Sequence, residues 1–172
     1  DTDGDGKADH RESLVTGFAE GNQQHRVNGL RWGLDNWVYL ANGDSGGDLL
    51  SVKTGEKLKF GRRDLRIKPD TGQMDPQSGQ TQFGRERDDW GNWFGSNNSN
   101  PAFHYALADH YHHRNKNLIA PDAKVQVSVR PGAATIFPVS RTQVRFNDFN
   151  KVNRITSACG LCFYRDDLLG GE

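Results

Sequence analysis

Sulfur, long apolar runs and an excess of charge of either sign are all scarce in this sequence, and each scarcity removes a class of protein. Charge balances at 22 Lys+Arg against 22 Asp+Glu. No positive field argues for nucleic acid, and no negative excess argues for disorder. Mean hydropathy is low, at -0.82. Nothing approaches the roughly eighteen consecutive apolar residues of a membrane-spanning helix, and the longest uncharged apolar stretches, such as Trp37 to Ala41, are strand-sized. A chain that does not span a membrane is expected. The only cysteines sit in Cys159-Gly-Leu-Cys162. Zinc would need a second pair or suitably spaced histidines, and a redox pair would need a βαβ context. Neither is visible, so the two read as strand cysteines, buried or incidentally oxidised. Met74 is the one methionine, and the chain opens at Asp1. A processed chain or a piece of a larger one is expected.

What is present points to strands and turns. There are 20 glycines with four Trp, four Tyr and nine Phe, a composition that favours an all-β protein. Gly29 to Leu40 reads as a hairpin, two short apolar runs around Gly33-Leu-Asp-Asn36. Further strands are expected at Leu49 to Val52, Leu58 to Phe60, Asp64 to Ile67, Gln80 to Phe83 and Trp90 to Phe94. Others follow at Lys124 to Val129, Thr135 to Pro138, Arg154 to Ala158 and Leu161 to Tyr164. The turn segments starting at Asn42, Lys53, Lys68 and Gln77 each carry the glycine that a tight reversal needs. Helical periodicity is confined to Ala102 to Tyr111. Short strands without a βαβ rhythm suggest a sandwich or a meander of antiparallel blades. At about 40 to 50 residues per blade, the chain holds three to four, too few to close a ring.

Asp1-Thr-Asp-Gly-Asp-Gly-Lys-Ala-Asp-His-Arg-Glu12 fits the twelve-residue calcium-loop pattern. Ligands would be Asp1, Asp3, Asp5, the Lys7 carbonyl, Asp9 and Glu12, with Gly6 at the turn. A hard cation collects six to eight oxygens, and alternating aspartates supply them while the ion cancels their repulsion. The flanking helices of an EF-hand are missing, so the loop reads as a structural clip between strands rather than a sensor. A solvated acidic turn is the alternative. The histidines at 104, 110, 112 and 113 scatter around any helix and share no carboxylate, which argues against a transition-metal site.

His25, Leu30, Gly33, Asp35 and Tyr39, followed by Asn42-Gly-Asp, resemble the inner-strand motif of soluble quinoprotein glucose and sorbosone dehydrogenases, which are six-bladed propellers. A resemblance extends through nearly the whole chain to large secreted bacterial proteins described as membrane-bound dehydrogenase domain or heme-binding Cys-x-x-Cys-His proteins. Asp1 to Asp9, Gly17-Phe18, Phe83-Gly84, Asp88-Asp-Trp-Gly-Asn92, Arg114-Asn115, Thr156-Ser-Ala-Cys-Gly160 and Tyr164-Arg-Asp-Asp167 carry it. The resemblance implies an all-β fold, a partial β-propeller with a calcium-loop insertion and one short helix, spanning 1–172 of a longer protein. It also implies a secreted or periplasmic setting, attached to the cell envelope, with a cytochrome-like domain or electron acceptor elsewhere in the full protein. No Cys-x-x-Cys-His occurs in this chain, so no covalent heme is expected in it.

In those dehydrogenases the histidine at the His25 position takes a proton from a sugar or polyol while hydride passes to pyrroloquinoline quinone. A neutral imidazole suits that role, and hydrogen-bonded loop capping is its alternative. Arg26 and Asn28 are the nearest polar neighbours. The dehydrogenases' Arg-Asn-Pro segment is replaced here by Gln82-Phe-Gly-Arg-Glu-Arg-Asp-Asp-Trp-Gly-Asn92. Arg85 stands in for the arginine, and Asp88, Asp89, Trp90 and Asn92 make a polar, aromatic group suited to a sugar ring. Packing of Trp90 and Trp93 within a blade is the plainer reading. The expected function is sugar or polyol oxidation with His25 as base; the alternative is a non-catalytic, calcium-stabilised propeller that binds glycans or a partner domain.

Overall fold

A computed structural model describes residues 1–115, 117, 119, 121–127, 155 and 157–169. Those residues are all-β apart from one helix, α1 (Asp109–Arg114), and two short 3-10 turns at Gln23–His25 and Asp167–Leu169. The first sheet has the order β1-β4-β5, formed by β1 (Val15–Phe18), β4 (Gly47–Ser51) and β5 (Lys57–Phe60). The second runs β2-β3-β6-β7, with β2 (Asn28–Trp32), β3 (Val38–Ala41), β6 (Asp64–Lys68) and β7 (Gln73–Gln77). β8 (Arg85–Arg87), β9 (Trp93–Asn97), β10 (Asn100–Tyr105) and β11 (Lys124–Gln126) form the third, a plain meander. Neighbouring strands are antiparallel throughout. None of the three sheets closes on itself among the described residues.

The alternation of side chains along a strand makes the second sheet two-faced. Leu40, Leu65 and Met74 pack with Leu49 and Phe60 of the first sheet into the apolar core, flanked by Val15, Phe18, Val27, Leu58 and Ile67. Leu49 and Leu65 are fully buried, and each such side chain contributes about 1.5–3 kcal/mol of transfer free energy. The intervening residues Tyr39, Asp64 and Arg66 turn to the opposite face. Register keeps like with like: Arg66 lies opposite both Tyr39 and Asp75, and Asp64 lies opposite Gln77. The third sheet answers with Arg85, Trp93, Phe103 and Tyr105, which share a face because Gly95 pairs with both Arg85 and Phe103, and Trp93 pairs with Tyr105.

The expected Gly29 hairpin is present, and its turn carries Asn36 at φ 62. The expected helix over Ala102 to Tyr111 is corrected. Its first half is β10, where Phe103 and Tyr105 are buried and His104 is not; that two-residue period fits a strand, and α1 starts only at Asp109. Gln80 to Phe83 is no strand but a crossing segment, and β7 forms earlier, over Gln73–Gln77. The strand expected at Trp90 to Phe94 begins at Trp93, because residues 88–92 form a turn on the Asp88 carboxylate. Leu161 to Tyr164 is irregular, and Cys159 and Cys162 are exposed free thiols rather than buried strand residues. Thr135 to Pro138 lies outside the described residues, as do Arg154 and Thr156, and Ile155, Ser157 and Ala158 of the strand expected at Arg154 to Ala158 are irregular instead. No helix among the described residues is long and apolar enough to cross a membrane.

Candidate functional site in the cleft between the second and third sheets

A cavity of about 330 Å3 opens where the polar face of the second sheet meets the third. Tyr39, Arg66 and Gln77 line it from one side, Arg85, Trp93 and Tyr105 from the other, and the segment entering α1 closes one end. Tyr39 and Trp93 stack across the junction with ring centroids 4.0 Å apart and planes inclined by 28°. Arg66 is locked in place. Its Nη1 donates to Asp35 Oδ2 at 2.8 Å and to the Tyr39 hydroxyl at 3.1 Å, its Nε donates to Asp75 Oδ2 at 2.7 Å, and its guanidinium lies 4.5 Å above the Trp37 ring. Burial holds the Tyr39 phenol above its ordinary pKa, so it stays a hydrogen-bond donor. Asp109, at the start of α1, pairs with Arg63 at 2.6 Å and accepts from Ser78.

Behind this wall lies a buried ionic knot. Asp64 is wholly inaccessible and accepts from Asn42 N at 2.9 Å, Thr81 N at 2.9 Å and Thr81 Oγ1 at 2.6 Å. Tyr105 Oη lies 2.5 Å from Thr81 Oγ1 and donates to Asp64 Oδ2 at 3.3 Å. Arg85 Nη1 stands 3.4 Å from Asp64 Oδ2. Burial raises the Asp64 carboxyl above the usual carboxylate range, against the opposing pull of Arg85 and the donated hydrogen bonds. Desolvation, reinforced by the Asp64 charge, raises Tyr105 as well.

Of the residues assigned from sequence to substrate or cofactor binding, Arg85 and Asn92 reach this cavity, and Asp35 and Tyr39 of the inner-strand motif line it as well. Asn92 is anchored by Asp88, whose carboxylate accepts from Asn92 N at 2.8 Å and Asn92 Nδ2 at 2.7 Å. Trp90 is 84% exposed and Asp89 pairs with Arg165 at 2.7 Å on the outer surface; neither lines the cavity. His25 ends a 3-10 turn instead of standing on an inner strand, and its Nε2 lies 3.2 Å from Gln82 Nε2. Arg26 bonds the Glu20 carbonyl through Nε and Nη2. Asn28 ties β2 to the crossing segment, donating to Gln82 O and accepting from Gly84 N at 2.7 Å. His25, Asn28 and Gln82 thus form one cluster, apart from the cavity lining.

In the acidic loop, carboxylate oxygens of Asp1, Asp3 and Asp9 lie within 4.8 Å of one another. Asp5 instead pairs with Lys7 at 3.1 Å, and Glu12 lies 3.6 Å from Lys53 and 3.8 Å from His10. Hydrogen bonds from Thr2 hold the Asp9 carboxyl below its ordinary pKa. This donor set fits a hard cation through three of the expected ligands and turns two others away.

Sequence reasoning missed Asp64, Arg66, Tyr105 and the cavity role of Trp93. Alternation over Asp64-Leu-Arg-Ile67 was the available signal: two charges facing away from two aliphatics on a strand need a polar partner surface. A family model described as a domain of unknown function, DUF7133, matches residues 1–172. No curated protein and no solved structure matches the chain.

Proposed function

We propose, for a chain that belongs to the DUF7133 family, that it is a binding module for a small hydroxylated ligand of the sugar or polyol class, held in the cleft between the second and third sheets. The observation that carries this reading is the pairing of the Tyr39 and Trp93 ring faces with fixed polar groups in one cavity. Aromatic faces stack on the C–H groups of a sugar, while amides, carboxylates and guanidinium groups take its hydroxyls. Asn92, Gln77 and Asp109 supply such groups at the cavity wall. Titration calorimetry against a panel of neutral sugars, polyols and sugar acids tests it. Trp93→Ala is expected to weaken the best ligand by about tenfold or more, the scale of one lost aromatic contact. No binding by any member of the panel sinks the reading.

Hydride transfer would call for His25 at the ligand, and His25 is not in the lining. Binding is therefore the better supported reading of the cleft. Dye-linked oxidation of the same panel, with pyrroloquinoline quinone and calcium added, separates the two; turnover that vanishes in His25→Ala would replace binding by catalysis. We also read the sheets as blades of a partial propeller from a secreted or periplasmic protein. The four-stranded antiparallel order of the second and third sheets supports that architecture.

The loop at residues 1–12 is proposed as a calcium clip centred on Asp1, Asp3 and Asp9. Affinity in such loops follows the number of charged ligands. Equilibrium dialysis is expected to give at least about tenfold weaker calcium binding in Asp3→Ala/Asp9→Ala than in the wild type, with Asp5→Ala changing little. Equal binding by the double variant removes the proposal.

A further inference from the structure

Arg85 is only 4% exposed, and its Nε and Nη1 have no hydrogen-bond partner. The guanidinium remains a cation and cannot relieve this by becoming neutral. Unsatisfied buried donors are costly, and those that persist in a folded protein call for an explanation. Asp64 does not supply it. Its Oδ1 already accepts from Asn42 N and Thr81 N, and its Oδ2 accepts from Thr81 Oγ1 and Tyr105 Oη. The 3.4 Å approach of Arg85 Nη1 is charge pairing beside a carboxylate whose oxygens are occupied.

The guanidinium is held flat by aromatic rings. It lies 4.1 Å from the Tyr105 ring centroid, 5.5 Å from Trp93 and 5.7 Å from Tyr39. Those three rings and Arg85 itself line the cavity. Arg66, the other guanidinium there, is already committed to Asp35 and Asp75. One planar cation, its Nε and Nη1 unbonded and shielded from solvent, therefore sits at the wall of a cavity whose Asp35, Arg66 and Asp109 charges are paired.

We infer that Arg85 is an anion subsite and that the ligand of the cleft carries a carboxylate, making it a sugar acid such as a uronate rather than a neutral sugar. The inference rests on the sugar reading of the cleft. A carboxylate is planar and singly charged, which matches a guanidinium edge between ring faces. A phosphate brings close to two negative charges and would meet the Asp35 and Asp109 carboxylates that share the lining.

The test is calorimetric titration of the full chain with D-glucuronate, D-galacturonate, their methyl esters, the parent neutral hexoses, acetate and inorganic phosphate. A uronate is expected to bind at least about tenfold more tightly than its ester and its neutral parent, the worth of a charge-assisted pair at a desolvated arginine. That preference should fall to near parity in Asp64→Asn/Arg85→Met, which removes both charges of the buried pair together. If this variant does not fold, the comparison of acid with ester on the wild type decides alone. Equal binding of acid, ester and neutral sugar overturns the inference and keeps the sugar reading. Binding of acetate but of no sugar keeps the anion subsite and overturns the sugar reading, whereas phosphate binding tighter than any uronate overturns the carboxylate. No binding by any of them overturns both.

Discussion

Asp64→Ala is expected to lose about 3–5 kcal/mol of folding free energy, the cost of stranding one member of a buried ion pair. The substitution removes the acceptor for two backbone amides and the Thr81 hydroxyl at once, and it leaves the Arg85 cation buried without a counter-charge. Against a total stability of about 5–15 kcal/mol, that is a large share, and it should appear as a lower urea midpoint at unchanged slope. Asp64→Asn separates the two losses. It keeps one carbonyl oxygen for the amides of Asn42 and Thr81 but cancels the charge, so it should fall between the wild type and Asp64→Ala. Adding Arg85→Met to Asp64→Ala should recover part of the loss, since the orphaned cation goes with its partner. A loss below about 1 kcal/mol in Asp64→Ala, within the range of an ordinary hydrogen bond, would mean that the knot does not organise the cleft.

The same knot marks where the sequence stopped being readable. The hairpin from Gly29 to Leu40, and β4, β5 and β6 close to their limits, follow from apolar runs and glycine turns, which are local signals. Glycines 43, 46, 55, 72 and 79 all take positive φ in the turns that their neighbours announced. The cleft is a different matter, because it is made by pairing Tyr39, Arg66 and Asp64 of one sheet with Arg85, Trp93 and Tyr105 of another. No spacing along the chain encodes that meeting. Arg85 and Asn92 stood out for their chemistry and do reach the cavity, whereas Trp90, only three residues from Trp93, points to solvent. Ala102 to Tyr111 misled for a related reason. Its residues suit either period, and the burial of Phe103 and Tyr105 beneath the third sheet decided for the strand.

How that meeting is held suggests the second large effect: Gly29→Ala is expected to destabilise the fold by about 2–4 kcal/mol, combining backbone strain with overpacking. Gly29 in β2 sits against Gly84, one residue before β8, and a Cβ there would lie 2.3 Å from the Gly84 Cα. The obstacle is backbone, fixed from both sides by Asn28, which donates to Gln82 O and accepts from Gly84 N. It cannot swing aside as a flexible side chain would. Gly84→Ala is the matched comparison. Gly84 also has a positive φ, 70 against 62, but its Cβ would meet nothing nearer than 3.8 Å. Both variants carry the left-handed cost of about 1 kcal/mol, so the excess in Gly29→Ala measures the close approach itself. Because this contact lies where β2 meets β8, forcing it apart also shifts the third sheet relative to the second. Ligand affinity should then fall in Gly29→Ala even in conditions where the variant remains fully folded, and should hold in Gly84→Ala. Equal destabilisation in the two, measured by urea unfolding, would show that strain alone matters and that the two sheets tolerate a wider junction.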